Sequence, residues 1–282
     1  MSDRSFDPSK VRDVATQMRI DIIEMLTAAG SGHPGGSLSA ADIVATLYFG
    51  GVLRHDPAKP KDPSRDRFVL CKGHAAPVLY AALGEAGYFD KAEFSGLRHL
   101  GRMLQGHPDA SKTPGVEVST GSLGQGLSIA SGLAQGIALD GGDQQVFALL
   151  GDGELQEGQV WEAAMYAAHH RISNLTAIVD FNGLQIDGFC QDVLDIGSPA
   201  EKFAAFGWDV VEIDGHDVEQ IHDALVAART SDKPRAVIAK TFKGKGVSFM
   251  HNEAGWHGVA PSEEQAVIAC GELRECFEGG DR

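Results

Sequence analysis

Three absences narrow the class of protein. The 282 residues include only four cysteines (Cys71, Cys190, Cys270 and Cys276), and no two of them form a C-x-x-C pair, which excludes a disulfide framework and a cysteine zinc site. No run approaches the ~20 consecutive apolar residues of a membrane-spanning helix. The polar start, MSDRSFDPSK, lacks the apolar core of a signal peptide. We therefore expect a cytoplasmic protein.

Positive charge is also scarce. Lys and Arg total 24 against 39 Asp and Glu, which gives a formal net charge of −15. A chain this acidic lacks the basic surface that displaces counterions from nucleic acid, and anionic lipid would repel it. The charge balance therefore predicts neither a nucleic-acid partner nor a membrane partner. Phosphorylated ligands would have to be held by a few placed cations, backbone amides or a bound metal.

The apolar residues fall into short, nearly continuous runs separated by helical segments, a pattern typical of parallel strands buried on both faces. The first helix is expected to be capped by Asp7, to begin with Pro8 and to stop at Gly30. The alternation predicts an α/β fold, a doubly wound, mainly parallel sheet with helices on both faces. We expect residues 1–282 to form one domain with a helical N-terminal layer. The predicted strands are Phe68–Cys71, Val146–Leu150, Leu175–Asp180, Asp209–Ile213 and Ala236–Thr241.

Residues 146–188 predict a strand, a helix and a second strand, with polar residues directly after each strand. Asp152, within Gly151-Asp152-Gly153, follows the first strand, and Asn182 follows the second. Because a βαβ crossover joins parallel strands, both side chains should emerge at one sheet edge, where ligands of open α/β sheets bind. Their oxygens suit Mg²⁺, and the two glycines let backbone amides approach a diphosphate. An isolated Asp-Gly is more often a simple turn, so the strand–helix–strand context carries this interpretation.

The run Gly151-Asp152-Gly153 with Asn182 resembles the thiamine-diphosphate-binding motif, and the wider phrase GDGELQEG…WEAA…NLTAIVDFNGLQIDG resembles transketolases in particular. The resemblance implies thiamine diphosphate and Mg²⁺ as cofactors, with Ca²⁺ or Mn²⁺ as substitutes. It implies that Asp152, Asn182 and the carbonyl of Leu184 hold the metal. It also assigns Gly151, Gly153 and Asn182 to cofactor binding.

Two glutamates extend the same resemblance. Glu157 in LQEG and Glu162 in WEAA match acidic positions that transketolases place near the dimer interface and the cofactor. We group Glu157 with the catalytic residues and Glu162 with the cofactor-binding ones. Phe181 stands where the family more often has a small or polar residue, and it should not disturb the metal because it is not a ligand position.

Four of the eleven histidines follow a glycine: His33, His74, His107 and His216. Any one of them alone is more typical of a structural or surface role. The phrases SGHPGG, KGHAA and QGHPD, however, precede the cofactor motif in the order that transketolases have. By this resemblance His33 and His107 face the substrate, and His74 lies beside the diphosphate.

A glycine-rich turn lies between these phrases and the metal motif. Gly121-Ser122-Leu123 matches the turn that packs against the cofactor's rings in transketolases, with Ser122 where the family usually has proline. From the residues alone, the stretch predicts a turn that opens a helix of small residues, which its neighbours can approach closely.

The phrase KTFKGKGVSFMHNEAGWHGVAP also resembles the family. Lys243 and Lys245 flank glycines and are expected to be solvated surface residues rather than phosphate ligands. Transketolases carry an active-site histidine slightly ahead of a His-Gly pair, which here is His257-Gly258. Because position 254 is Ala, the sequence leaves open whether His251 or His257 takes that role.

The resemblance covers nearly the whole chain, but only the diphosphate-binding part of a transketolase. The pyrimidine-binding domain is absent from the sequence and is expected on a second chain, a C-terminal transketolase subunit, in a heterotetramer with two copies of each. That complex would transfer a two-carbon ketol unit from a ketose phosphate to an aldose phosphate, a reaction of the pentose phosphate pathway.

Two alternatives stay open. The chain is also compatible with half of another thiamine-diphosphate enzyme, either a deoxyxylulose-phosphate synthase or a transketolase for a branched or sulfonated sugar phosphate. It is further compatible with a non-catalytic subunit that binds the cofactor or a protein. The number of matching ligand positions favours an enzyme.

Overall fold

Five parallel strands form the central sheet of the computed structural model, which describes residues 6–279 and the side chains of residues 6–275. They are β1 (Arg67–Leu70), β2 (Val146–Gly151), β3 (Leu175–Phe181), β6 (Asp209–Asp214) and β7 (Arg235–Lys240). Their order across the sheet is β1-β2-β3-β7-β6, and every pair is parallel. A two-stranded antiparallel hairpin, β4 (Leu184–Gln185) with β5 (Gly188–Phe189), follows β3. The prediction of a parallel α/β sheet is confirmed, with strand bounds within a residue of those expected.

Ten α-helices lie within the described residues. They are α1 (Pro8–Ala29), α2 (Gly35–Ser39), α3 (Ala41–Phe49), α4 (Ala76–Glu85), α5 (Gln125–Leu139), α6 (Gly158–His169), α7 (Cys190–Leu194), α8 (Pro199–Phe206), α9 (Val218–Ala227) and α10 (Glu263–Gly279). The first is bounded as predicted, because the Asp7 carboxylate accepts from the amides of Ser9 and Lys10 and Gly30 adopts a left-handed conformation.

Helices cover both faces of the sheet, as predicted. Phe147, Leu149 and Ile178 point into one core, which the buried faces of α1, α3, α4 and α9 complete. The alternate residues Ala148 and Leu150 point into a second core with α5, α6 and α8. This period of two explains why the strands are apolar along their whole length: each side chain enters one core or the other.

Close packing brings α5 against the end of β1. A methyl group added at Gly126, in the first turn of α5, would lie 2.5 Å from the Cβ and Sγ of Cys71. Glycine is therefore required there by the approach of the two elements, in agreement with the predicted small-residue helix. Cys71, Cys190 and Cys270 carry free thiols, whereas the side chain of Cys276 and residues 1–5 of the polar start lie outside the described residues.

The sheet register places the polar motif residues side by side. Gly151, the last residue of β2, is paired with Asp180 near the end of β3, so the loops that carry Asp152 and Asn182 leave the sheet at the same edge. Within residues 6–279, no helix is both long and apolar enough to cross a membrane.

Candidate functional site

A cavity of about 200 Å³ opens at the carboxyl edge of β2 and β3. It gathers segments that are far apart in sequence, because the loops after β1, β2 and β3 and the start of α2 all meet there. Its lining includes most of the residues that the sequence analysis singled out. They are His33, His74, Gly121, Leu123, Gly151, Asp152, Gly153, Asn182 and Leu184, and they are joined by Gly36, Lys72, Glu154, Gln185, Ile186 and His257.

Asp152 is buried at the inner end of this cavity. Its carboxylate accepts hydrogen bonds from the amide of Gly153, at 2.8 Å, and from the amide of Gly183. Burial, and secondarily the charge of Asp180, raises the pKa of Asp152 to about 6. A buried carboxylate whose charged form is disfavoured gains more from a bound cation than an exposed one does.

Asn182 and Leu184 place two further oxygens beside Asp152. The Oδ1 of Asn182 accepts from the amide of Leu184 at 3.1 Å, and its Nδ2 donates to Asp180 at 3.4 Å. Asp152, Asn182 and Leu184 line the same cavity, and a carboxylate, an amide oxygen and a main-chain carbonyl are hard-oxygen donors of the kind that Mg²⁺ prefers. Among the described residues no group of three or more His, Cys, Asp or Glu side chains could hold a metal ion.

An ion pair lies directly beneath the cavity. The ammonium of Lys72 donates to the Asp180 carboxylate and to the carbonyl of Gly36, the latter at 2.8 Å. Asp180 also accepts from the hydroxyls of Ser39, at 2.6 Å, and Thr241. These contacts hold the pKa of Asp180 below its usual range, although burial alone would raise it. The pair therefore fixes the ends of β1, β3 and β7 relative to α2.

Three histidine rings stand together over the cavity. The centroid of His33 lies 5.3 Å from that of His74 and 5.5 Å from that of His257, and His74 and His257 are 5.0 Å apart. Burial, reinforced by neighbouring cations, lowers the pKa of His33 to about 4 and that of His257 to about 3, and places that of His74 well below its usual value. All three imidazoles are accordingly neutral at pH 7, so each has one donor and one acceptor nitrogen. The structure thus places His257 at the cavity, whereas His251 is exposed and its ring contacts Phe242.

Lys243 corrects an expectation from the sequence. Its side chain is 2 % exposed rather than solvated, and its ammonium lies 3.2 Å from the carbonyl oxygen of Leu184 and 2.9 Å from Nδ1 of His257. Burial, with the nearby Lys72, lowers the pKa of Lys243 to about 8. No local pattern indicated this burial, because it depends on packing against Gly35 far earlier in the chain.

Glu154 is a second residue that sequence reasoning missed. It is buried, and its two carboxylate oxygens accept from the amides of Gly124, at 3.0 Å, and Gly151, at 3.1 Å. Burial raises its pKa to about 7. Glu154 thus ties the glycine-rich turn before α5 to the end of β2. The sequence feature that could have identified Glu154 as a site residue is its position directly after Gly151-Asp152-Gly153.

Four of the residues singled out from the sequence do not line the cavity. His107 is exposed at its rim, where its ring would lie 3.2 Å from a methyl group at Gly121, and Ser122 is exposed beside it. Glu157 and Glu162 are exposed at the start and on the outer face of α6. Their assigned roles depend on groups beyond this cavity and stay predictions.

A larger cavity of about 550 Å³ lies further along the same edge, between the ends of β3, β7 and β6. It shares Asn182 with the first cavity, and it is lined by Phe181, which does not line the first cavity. The effect of Phe181 on the metal position stays a prediction.

Comparison with known proteins decides the family. Residues 10–273 match the family model described as transketolase, thiamine diphosphate binding domain. The chain belongs to the transketolase family. It is 40% identical over 276 residues to the 6-deoxy-6-sulfo-D-fructose transketolase subunit SqwG of Clostridium sp. (strain MSTE9), covering 98% of this chain and 99% of that subunit. It is 45% identical over 251 residues to human transketolase, covering 88% of this chain and 39% of that protein.

The solved structures agree with the transketolase fold. The crystal structure of transketolase from Campylobacter jejuni superposes with a TM-score of 0.87 at 35% identity, covering 94% of this chain and 42% of that one. An apulose-4-phosphate transketolase subunit of Actinobacillus succinogenes is 39% identical over 271 residues, covering 96% of this chain and 98% of that subunit. The chain therefore spans nearly the whole length of these subunit relatives and about two fifths of the single-chain transketolases. It is a thiamine diphosphate-binding domain of this family.

Proposed function

We propose that this chain is the diphosphate-binding half of a two-chain transketolase that uses a divalent metal ion, most simply Mg²⁺. The observation that carries the proposal is the convergence, in one cavity, of the hard-oxygen set and three neutral histidines. The matching family model supports thiamine diphosphate as the ligand of that cavity.

The residues of the cavity divide into those that would hold the metal and those that would hold the diphosphate. Asp152, Asn182 and the carbonyl of Leu184 would hold the metal, because they supply hard oxygens. His74 would meet the diphosphate, and the missing side chain at Gly153 would leave room for it against the backbone. Lys243 adds positive charge beside them, since a pKa of about 8 leaves it mainly protonated at pH 7.

Thiamine diphosphate, when bound, supplies the electron sink that allows a carbon–carbon bond beside a carbonyl to be broken and formed. The chain's own residues would orient the reactants. His33 and His257 are neutral at pH 7, so each can exchange a hydrogen bond with a sugar hydroxyl and orient it. Leu123 and Ile186, which line the cavity, would exclude water from the reacting end.

A second chain would complete this site. The subunit relatives match this chain nearly end to end and are named as subunits of transketolases, which supports a partner that provides the pyrimidine-binding domain. An assembly with two copies of each chain would place the exposed Glu157 and Glu162 of α6 at an interface. This would give both residues the role that the family resemblance implies.

The substrates we propose are a ketose phosphate, which gives up a two-carbon unit, and an aldose phosphate, which receives it. The two subunit relatives are named for 6-deoxy-6-sulfo-D-fructose and for apulose 4-phosphate. Both sugars therefore belong in the substrate panel beside the ordinary pentose and hexose phosphates.

Co-expression with the product of the neighbouring reading frame tests the proposal. Two-carbon transfer would be assayed with thiamine diphosphate and Mg²⁺ for the mixture, for this chain alone, and for the mixture after metal chelation. We expect activity in the complete mixture only. Cofactor binding without transfer of any donor in the panel would refute the enzymatic proposal in favour of a binding subunit. Failure to bind the cofactor would refute the site itself.

A further inference from the structure

The β4–β5 hairpin carries a glutamine over the metal motif. Gln185 pairs with Gly188 across the hairpin, and its side chain turns inward over the loop after β2. A methyl group added at Gly153 would lie 3.2 Å from both the Cβ and the Oε1 of Gln185. Gln185 therefore covers the backbone that the family resemblance assigns to the diphosphate, and it lines the same cavity as Asp152 and Asn182.

The amide nitrogen of this glutamine has no acceptor. Gln185 Nε2 is buried and unpaired within the described part of the chain. Gln156, in the neighbouring turn, shows the ordinary case, because its Nε2 donates to the carbonyl of Leu194 at 2.9 Å. A buried N–H group without an acceptor is costly and is rare in native proteins unless a ligand or water satisfies it.

The other donors of the cavity are largely committed to protein acceptors. The amide of Gly153 is bonded to Asp152, and the ammonium of Lys72 is bonded to Asp180 and Gly36. The three histidines are neutral because burial lowers their pKa values. A diphosphate here would rely on neutral N–H donors to satisfy oxygens that the metal and Lys243 do not reach. Gln185 Nε2 is such a donor.

We propose that Gln185 is a diphosphate-binding residue, whose Nε2 donates a hydrogen bond to a diphosphate oxygen of the cofactor. The inference rests on the proposed function, since it names a further residue of the same site. It distinguishes Gln185 from the neighbouring hairpin residues, whose contribution to this site is a main-chain carbonyl at Leu184 and an apolar side chain at Ile186.

Three variants of the full chain test the inference. Gln185→Met keeps the length of the side chain and removes the donor, whereas Gln185→Glu replaces the donor with a negative charge. Gln156→Met is the matched control, because it removes an amide that is already bonded to protein. Binding of Mg²⁺–pyrophosphate and of thiamine diphosphate would be measured by isothermal titration calorimetry, and unfolding by urea without ligand.

We expect Gln185→Met to weaken pyrophosphate binding by about tenfold, the typical worth of a hydrogen bond to a charged group, without lowering the urea midpoint. Gln185→Glu should weaken binding further. Gln156→Met should lower the urea midpoint and leave the affinity unchanged. This opposite pattern separates a ligand contact from a structural one.

Two results would overturn the inference. If wild-type chain binds either probe and Gln185→Met binds it equally well, Gln185 makes no diphosphate contact and the proposed function stands. If the wild-type chain binds neither pyrophosphate nor thiamine diphosphate, alone or co-expressed with the product of the neighbouring reading frame, the proposed cofactor site fails and this inference fails with it.

Discussion

The helical N-terminal layer and the carboxyl edge of the sheet both bury charge, but they treat it in opposite ways. In the layer, Arg19 donates to both oxygens of Asp42, at 3.0 and 2.5 Å, and Asp42 also binds Nδ1 of His216 at 2.7 Å. The Arg19 charge holds the pKa of Asp42 well below its usual range in spite of complete burial. At the sheet edge, Asp180 is likewise paired with Lys72 and has a lowered pKa, but Asp152 and Glu154, which line the cavity, have raised pKa values.

This contrast indicates that the carboxyl edge of the sheet, rather than the helical layer, binds a ligand. Removing one partner of a buried ion pair is strongly destabilising because the other charge stays buried without compensation, and the partners of Asp42 are all protein groups. At the edge, burial disfavours the charged forms of Asp152 and Glu154, and the amide nitrogen of Gln185 is buried without a described partner, an arrangement that lowers stability unless a ligand completes it. Substitutions in the layer should therefore change stability, and substitutions at the edge should change binding.

The largest expected effect is on binding at the edge. Asp152→Ala removes the single carboxylate of the oxygen set, so Mg²⁺-dependent binding of thiamine diphosphate should fall by at least about a hundredfold, since even outer partners of metal ligands are worth ~10–100-fold. The measurement is cofactor titration at several Mg²⁺ concentrations, with circular dichroism to show that the fold is retained. Asp232→Ala, at an exposed turn, is the control. Wild-type affinity in Asp152→Ala would refute the metal assignment.

The second effect is on stability in the layer. Asp42→Ala leaves the Arg19 guanidinium buried without its partner, and breaking a buried pair in this way costs about 3–5 kcal/mol. Urea unfolding measures the loss, and the Arg12–Glu219 pair, which is more exposed, supplies the control variant Glu219→Ala. A loss below about 1 kcal/mol, the range of exposed pairs, would show that the layer is not held by this network.

The helical layer contains one buried carboxylate whose pKa is raised rather than lowered. This exception predicts that the stability of the fold depends on pH. Asp21 is buried between α1 and the residues after α4, where Lys91 contacts its Oδ1 at 3.0 Å, but its Oδ2 has no described hydrogen-bond partner. Burial, and then Glu85, raises the pKa of Asp21 to about 7. The folded state then binds more protons than the unfolded state between the ordinary carboxyl pKa and about 7, so stability falls as pH rises through that window.

Asp21→Asn should remove this dependence. We expect the variant to be more stable than wild type by about 1 kcal/mol at pH 8, where the buried carboxylate is charged and incompletely bonded. The advantage should be much smaller near pH 4, because Asp21 is then protonated in the folded wild type and about half protonated in the unfolded chain. Urea midpoints measured at pH 4, 6 and 8 provide the check, and a difference that does not vary with pH would contradict it.

The sequence predicted the helical N-terminal layer and the positions of the strands better than the surroundings of the residues at the carboxyl edge of the sheet. Strand positions and the meeting of Asp152 with Asn182 followed from apolar runs and parallel adjacency, which are local or topological properties. The burial of Lys243 and the unpaired amide of Gln185 did not follow, because both depend on contacts between segments far apart in the chain, such as Lys243 against Gly35. The burial and contacts of a loop residue are set by tertiary packing, and no periodic pattern in the sequence indicates them.

The smallest effect is expected at His216, where the two regions meet. Its Nδ1 lies against Asp42 in the layer, and its Nε2 accepts from the amide of Phe242 at 2.9 Å, one residue before Lys243. Loss of this bond should loosen the Lys243 segment, so His216→Ala should destabilise the fold by about 1 kcal/mol and weaken Mg²⁺–pyrophosphate binding by about threefold, less than the full worth of one hydrogen bond.

His216→Gln should recover most of both losses, because the amide of glutamine can accept from Phe242 while it donates to Asp42. Calorimetry and urea unfolding of both variants make the comparison. If His216→Ala loses stability but keeps wild-type affinity, the layer supports the fold without positioning the edge. Stability in the helical layer and ligand binding at the sheet edge would then be independent of each other.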